Sequence, residues 1–199
     1  MNELYEAFQS LNLDRSLIGL EAGTEEGDYF CTPIGAHVIG WDNGIHYCLI
    51  DGFGETVFCV NPEPCCDFHV YPLARNFYDF LSLLLATKHT NTMQQVICWD
   101  ESAYNAFLRD PNTIRWAEDP KTVAVLDTIA TKLQIEAMDN PFRYIKELQK
   151  DFPYNRIPFT NEYYDTLGLE RPDGTNPYEE FDKTHQSLKA DVYLPEEVE

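Results

Sequence analysis

Four short runs, 36–41, 45–50, 56–60 and 68–71, are rich in β-branched and aromatic residues and are separated by turn residues. That texture predicts strands. Asp42-Asn43-Gly44 divides the first two runs. Asn-Gly accepts the positive φ angles of a tight type I′ turn, so it predicts a hairpin. A longer glycine-bearing loop, 51–55, makes the second connection. Asn61-Pro62-Glu63-Pro64 stops the third strand, because proline has no amide hydrogen to give a ladder. Along 45–50 both alternating faces are mainly apolar: Ile45, Tyr47 and Leu49 on one, Cys48 and Ile50 beside His46 on the other. A strand of that kind is covered on both sides or lies centrally in its sheet.

After Pro72 the period changes from 2 to 3.6. Phe77, Phe80, Leu81, Leu84 and Leu85 form one stripe, which predicts a core-facing helix over 74–87. Residues 92–109 continue the pattern through Met93, Val96, Ile97, Tyr104, Phe107 and Leu108 and end before Pro111. Asp119-Pro120 and Asn140-Pro141 each place a capping side chain before a proline at the first helical position, predicting two further helices. At the other end, Leu4, Ala7, Phe8 and Leu11 predict a short amphipathic helix within 2–13. Residues 19–35, with three glycines before Pro33, read as a loop. From Pro153 onward, prolines interrupt an acidic, aromatic-rich segment that is expected to wrap irregularly on the body. The expected organisation is an α+β domain over 1–152, built on an antiparallel β-meander at about 36–72 with added helices. Residues 153–199 are expected as an irregular extension on the same domain.

Composition supports a packed core, since 12 Tyr, 12 Phe and 3 Trp stand among 199 residues. No apolar stretch approaches the roughly 20 residues of a membrane-spanning helix, and the longest, 77–86, is interrupted by Asp79. The start, MNELYEAFQS, has neither the basic nor the apolar region of a secretory signal. A cytoplasmic location is therefore expected, with all six cysteines as thiols. The formal net charge is −20. Residues 1–60 carry ten acids against Arg15 alone, whereas 121–159 carry five acids and six bases. Such a surface disfavours direct nucleic-acid binding and steers a basic protein partner, although acidity can also serve solubility alone.

Candidate chemistry is sparse. Cys65, Cys66 and His69 lie close together, but adjacent cysteines do not make the spaced pairs of a structural zinc site. Cys48 shares a strand face with His46 and Cys98 precedes Trp99, but neither sits in a recognisable nucleophile signature, and an acidic setting raises a thiol's pKa. His37 and His46 flank the first hairpin and could meet as an acid–base pair oriented by Asp42 or Asp51, although strand histidines are commonly just hydrogen-bonded core groups. Gly52-Phe53-Gly54 links two strands instead of opening a helix, so it is no phosphate cradle. Neither Glu25-Glu26-Asp28 nor Glu179-Glu180-Asp182 has the ligand spacing of a calcium loop. No catalytic residue, metal ligand or cofactor is expected. Acidic loop residues Glu25, Glu26, Asp28, Asp42, Asp51 and Glu55 are the candidate partner-binding set.

The segments HVIGW (37–41), GIHYCLI (44–50), ETVFCVNP (55–62) and PLARNFYDFLSLLL (72–85) resemble the SUKH superfamily. That superfamily groups cell-wall regulators with bacterial immunity proteins that neutralise toxins. The likeness covers residues 36–88 and rests mainly on core positions, including Ala74, Phe77, Phe80 and Leu81 at the helix start. It implies an α+β domain whose sheet and loops bind another protein, without catalytic residues. The expected function is a non-enzymatic protein-binding module, either an immunity protein against a basic toxin or a regulatory adaptor. The alternatives are a small enzyme with a polar pocket near His37, His46 and Asp51, or a homo-oligomeric protein.

Overall fold

The computed structural model describes residues 3–23, 29–64 and 66–175. The chain divides into two compact units, Met1–Pro158 and Phe159–Glu199. The architecture is α+β. Strands β1 (Ala36–Asp42), β2 (Ile45–Ile50), β3 (Val57–Val60) and β4 (Val70–Ala74) form an antiparallel meander in the order β1-β2-β3-β4. The hairpin predicted at Asn43-Gly44 is present, with φ of 50° and 86° at the two residues, both in the left-handed region a type I′ turn requires. Strand β2 is central and largely buried, and every residue of β3 and β4 is buried.

A sheet buried on both faces needs two covers. On one face Ile39, Tyr47, Val57, Cys59 and Leu73 join the main apolar core. The helices α1 (Glu3–Ser10), α2 (Phe77–Thr87), α3 (Thr90–Cys98) and α6 (Pro120–Leu133) supply Phe8, Phe80, Leu84, Met93, Val96 and Ile129 to the same core. The other face is covered by irregular chain. Phe58 packs edge-on against Phe53 and Phe152, and Ile34 donates its backbone N–H to Pro158 (2.9 Å). Neither edge strand carries a lysine or arginine, the usual deterrents to edge pairing. Instead Glu21 makes two backbone hydrogen bonds to Trp41 on β1 (2.9 Å each), and Pro72 lies in β4, whose carbonyl there accepts from Gln149 Nε2 (3.2 Å).

The helical half differs from expectation in three places. Strand β4 runs through Pro72 to Ala74, because an edge strand tolerates proline; α2 therefore begins later, capped by Asn76, which accepts from Asp79 N (2.8 Å). The single run expected over 92–109 is two helices, α3 and α4 (Glu101–Leu108). Asp100 breaks it by capping α4 through Ala103 N (2.8 Å). An unexpected α5 (Pro111–Ala117) follows, opened by Asp110-Pro111, the same cap-proline signal that correctly predicted α6 and α7 (Pro141–Lys150). Helix α7 is fastened by Tyr144, whose hydroxyl donates to Asp79 Oδ2 (2.6 Å) and accepts from Arg75 N (2.9 Å). In the second unit, α8 (Asn161–Leu167) is followed by Arg171, bound through two nitrogens to the Asp165 carboxylate (2.7 and 2.9 Å). Of the extension expected over 153–199, residues 153–158 belong to the first unit and 176–199 lie outside the described residues.

The cysteine expectation is overturned. Cys66 and Cys98 form a disulfide, with Cα atoms 5.8 Å apart across 32 residues of chain. Cys31, Cys48 and Cys59 are buried thiols.

Two stability predictions follow from this packing. Phe80 is fully buried in the main core, so Phe80→Ala should cost about 3–5 kcal/mol of unfolding free energy in urea titrations. The second concerns His89, which caps α3 by accepting from Asn91 N on Nδ1 (3.0 Å) and stacks on Trp116 at 4.3 Å. Burial pushes its pKa below 6.5, partly opposed by the Asp42 carboxylate. The unfolded chain thus binds this proton more readily, so stability is complete above pH 6.5 and falls as pH drops from there through the folded-state pKa. His89→Asn keeps a capping acceptor and removes the titration. Its urea midpoint should fall less than the wild type's between pH 7 and pH 5.

Candidate functional site

Strand β1 places His37 opposite Leu49, on the face that also carries Ile39. A register shift between Val38 and Gly40 sets that pairing. The strand end of β2 then turns at Asp51, whose N–H donates to Gly35 O (3.0 Å). His37 Nε2 lies 2.9 Å from Asp51 Oδ1, with the two side chains 59% and 74% exposed. Gly35 makes this possible. Its φ is +75°, and a Cβ there would stand 3.0 Å from both Asp51 Cβ and Oδ2.

Behind the pair is a cavity of about 560 Å³, with Tyr5, Ile39, Leu49 and Phe77 in its wall and Asp51 and Glu55 at its rim. Asp51 and Glu55 are both exposed. Tyr5 and Phe77 meet edge to face (5.2 Å), which fixes the aromatic part of the wall. Tyr5 was not among the residues singled out from sequence. It flanks the apolar stripe of the first helix, and only the fold brings it to the end of the meander.

His46 lies elsewhere, which corrects the expected approach of the two histidines. It pairs with Trp41 and Val60 at the opposite end of the hairpin, fully buried. There its Nε2 is 3.2 Å from Thr32 Oγ1 and its ring packs on Trp41 at 4.5 Å. Asp42 is also turned inward, its side chain 13% exposed. Its Oδ2 lies 3.2 Å from the Thr90 hydroxyl, which donates to Gly19 O (2.7 Å). Of the six candidate partner-binding acids, Asp51 and Glu55 share the cavity rim, Asp42 belongs to this inner network, and Glu25, Glu26 and Asp28 lie outside the described residues.

Burial explains why the free thiols are poor nucleophiles. It pushes Cys31 up to about 11 and raises Cys48 and Cys59 further, so none is a thiolate near neutral pH. Cys66 is committed to its disulfide, and His69 Nδ1 lies 2.9 Å from Asn61 O. No cluster of metal-ligand side chains occurs among the described residues, and none of their helices is long and apolar enough to cross a membrane.

Compared with known proteins, the chain matches no family model, no curated protein and no solved structure.

The glycine argument is open to measurement. Gly52 also has positive φ (+84°), yet a Cβ there would meet nothing within 4 Å. Gly52→Ala should therefore cost only the backbone strain, about 1–2 kcal/mol, whereas Gly35→Ala should cost more because Asp51 must move. Equal costs in urea unfolding would show that Asp51 is not held against Gly35.

Proposed function

We propose that the chain is a non-enzymatic protein-binding module that receives a basic partner at the acidic-rimmed cavity. The observation that carries this reading is the combination at one place of apolar wall and exposed acid. Tyr5, Ile39, Leu49 and Phe77 offer area to bury, while Asp51 and Glu55 are the acids at the mouth, and no lysine or arginine is among the described residues lining it. A lysine or arginine side chain can lay its apolar stem along such a wall and leave its charge at the rim. The net charge of −20 adds long-range attraction for a basic protein. The likeness of residues 36–88 to the SUKH superfamily supports the same reading, and within it the partner is a basic toxin or a regulatory protein.

A second reading has one observation in its favour. His37 paired with Asp51 at a cavity mouth is the arrangement of a general base with its orienting carboxylate. Both groups are well exposed, which offers none of the water exclusion that strengthens such a pair.

Immobilised protein challenged with native lysate distinguishes the two. The wild type should retain basic proteins that elute with salt, and Asp51→Lys with Glu55→Lys should reduce that retention several-fold. Identical capture by both forms, or capture by neither, sinks the binding reading. Turnover in a substrate screen that vanishes in His37→Ala would favour the enzyme.

A further inference from the structure

Helix α3 ends at Cys98, and its sulfur is bonded to Cys66 in the bend after Pro64. The two ends of this bond are not equivalent: Cys98 is exposed and Cys66 is half-buried. The disulfide stands between two recesses. One, of about 260 Å³, includes Asn61, Gln94, Gln95 and Trp99 in its wall. The other is an open groove of about 730 Å³ running along α7. Arg143, Lys146, Glu147 and Lys150 line the groove's α7 side, and Asp67 and Glu101 line it together with the two cysteines.

Three cations on one ten-residue helix are exceptional in a chain with 14 basic residues and a net charge of −20. Lys146 is built into the groove: its Nζ donates to Ile97 O (2.9 Å), next to Cys98, and lies over the Phe142 ring at 5.7 Å. Arg143 reaches Glu147 at 2.7 Å while remaining 75% exposed, and Lys150 is exposed one turn beyond Lys146.

We propose that Cys98 is a thiol-exchange site for a small anionic thiol of the glutathione class, a cysteinyl peptide with free carboxylates, held by the cations of α7. The incoming thiolate attacks Cys98 Sγ. A mixed disulfide forms there, the Cys66–Cys98 bond breaks, and Cys66 departs with the bonding pair and takes up a proton. A second small thiolate attacks the sulfur of the first. That releases the small disulfide, and Cys98 leaves as a thiolate that is then protonated. Two small thiols are oxidised to one disulfide as one protein disulfide becomes two thiols, so two electrons balance. Attack falls on Cys98 because it is the more exposed of the two cysteines and lines the same groove as the α7 cations that hold the peptide's carboxylates. The effect of opening is local, since the loop stays closed at its base by the Asn61 N–H to His69 O hydrogen bond (2.8 Å).

The test uses the full oxidised chain, reacted separately with glutathione and with uncharged 2-mercaptoethanol, quenched by alkylation and mapped by peptide mass. The glutathione adduct is expected on the peptide bearing Cys98. Arg143→Ala with Lys150→Ala should slow the glutathione reaction several-fold and leave 2-mercaptoethanol unchanged, and added salt should do the same to the wild type. Cys66→Ser leaves Cys98 without its partner, and oxidised glutathione should label it. An adduct confined to the Cys65–Cys66 peptide, equal slowing of both thiols, or a glutathione rate indifferent to salt would each overturn the proposal. The salt comparison needs no variant, so it decides even where a substitution prevents folding.

Discussion

Everything in the first unit answers to one constraint: the middle of the sheet is buried on both faces. Tyr47 and His46 are neighbours on β2 and point to opposite sides, yet both have no exposed surface. Here the helical layer covers one face of the four-stranded meander. The second face is closed by chain without regular structure, which is why Phe53, Phe152 and the Ile34–Pro158 backbone bond matter beyond their number. Double burial also forces polar groups to find partners inside. The Tyr47 hydroxyl meets Gln94, His46 meets Thr32, and Asp42 meets Thr90. Two of these tie β1 and β2 to α3 and the third ties β2 to the loop at Thr32, so the polar interior sets where that helix and that loop lie.

The same constraint decides which acids remain available at the surface. An acid at the hairpin turn lies next to α3 and is drawn into the interior network. Acids in the β2–β3 loop lie where the sheet ends and no helix follows, so Asp51 and Glu55 stay in water at the cavity mouth. Some of the chain's negative charge is thus held at a particular edge, beside aromatic surface.

Much of the meander was legible because its signals are local. Asn43-Gly44 has essentially one use between two apolar runs, and the Asp-Pro and Asn-Pro caps state where α6 and α7 begin. The missed α5 carried the identical Asp110-Pro111 signal, which was read as the end of a helix because α4 stops just before it. What was illegible depends on non-local register. Extending the pairing of Asp42 with Ile45 back along β1 would put His37 opposite Ile50. The irregularity between Val38 and Gly40 shifts His37 to Leu49, and no residue at that place announces it. The shift decides which β2 residue His37 faces, whereas either register leaves His37 and His46 at opposite ends of the hairpin and Asp51 as the carboxylate within reach of His37. The Cys66–Cys98 bond was hidden similarly, since its two ends are brought together only by the packing of α3 beside the loop that follows β3.

The absence of cations from the strands has a practical consequence for the chemistry of the chain. From Ser16 to Ala74 there is neither lysine nor arginine. Trypsin, which cuts after those residues alone, must therefore release the whole meander as one fragment, 16–75, carrying five of the six cysteines. The sixth lies in fragment 89–109, and only the Cys66–Cys98 sulfur bridge joins the two. In an unreduced digest the entire sheet, α3 and α4 travel as a single species, and reduction splits it into two.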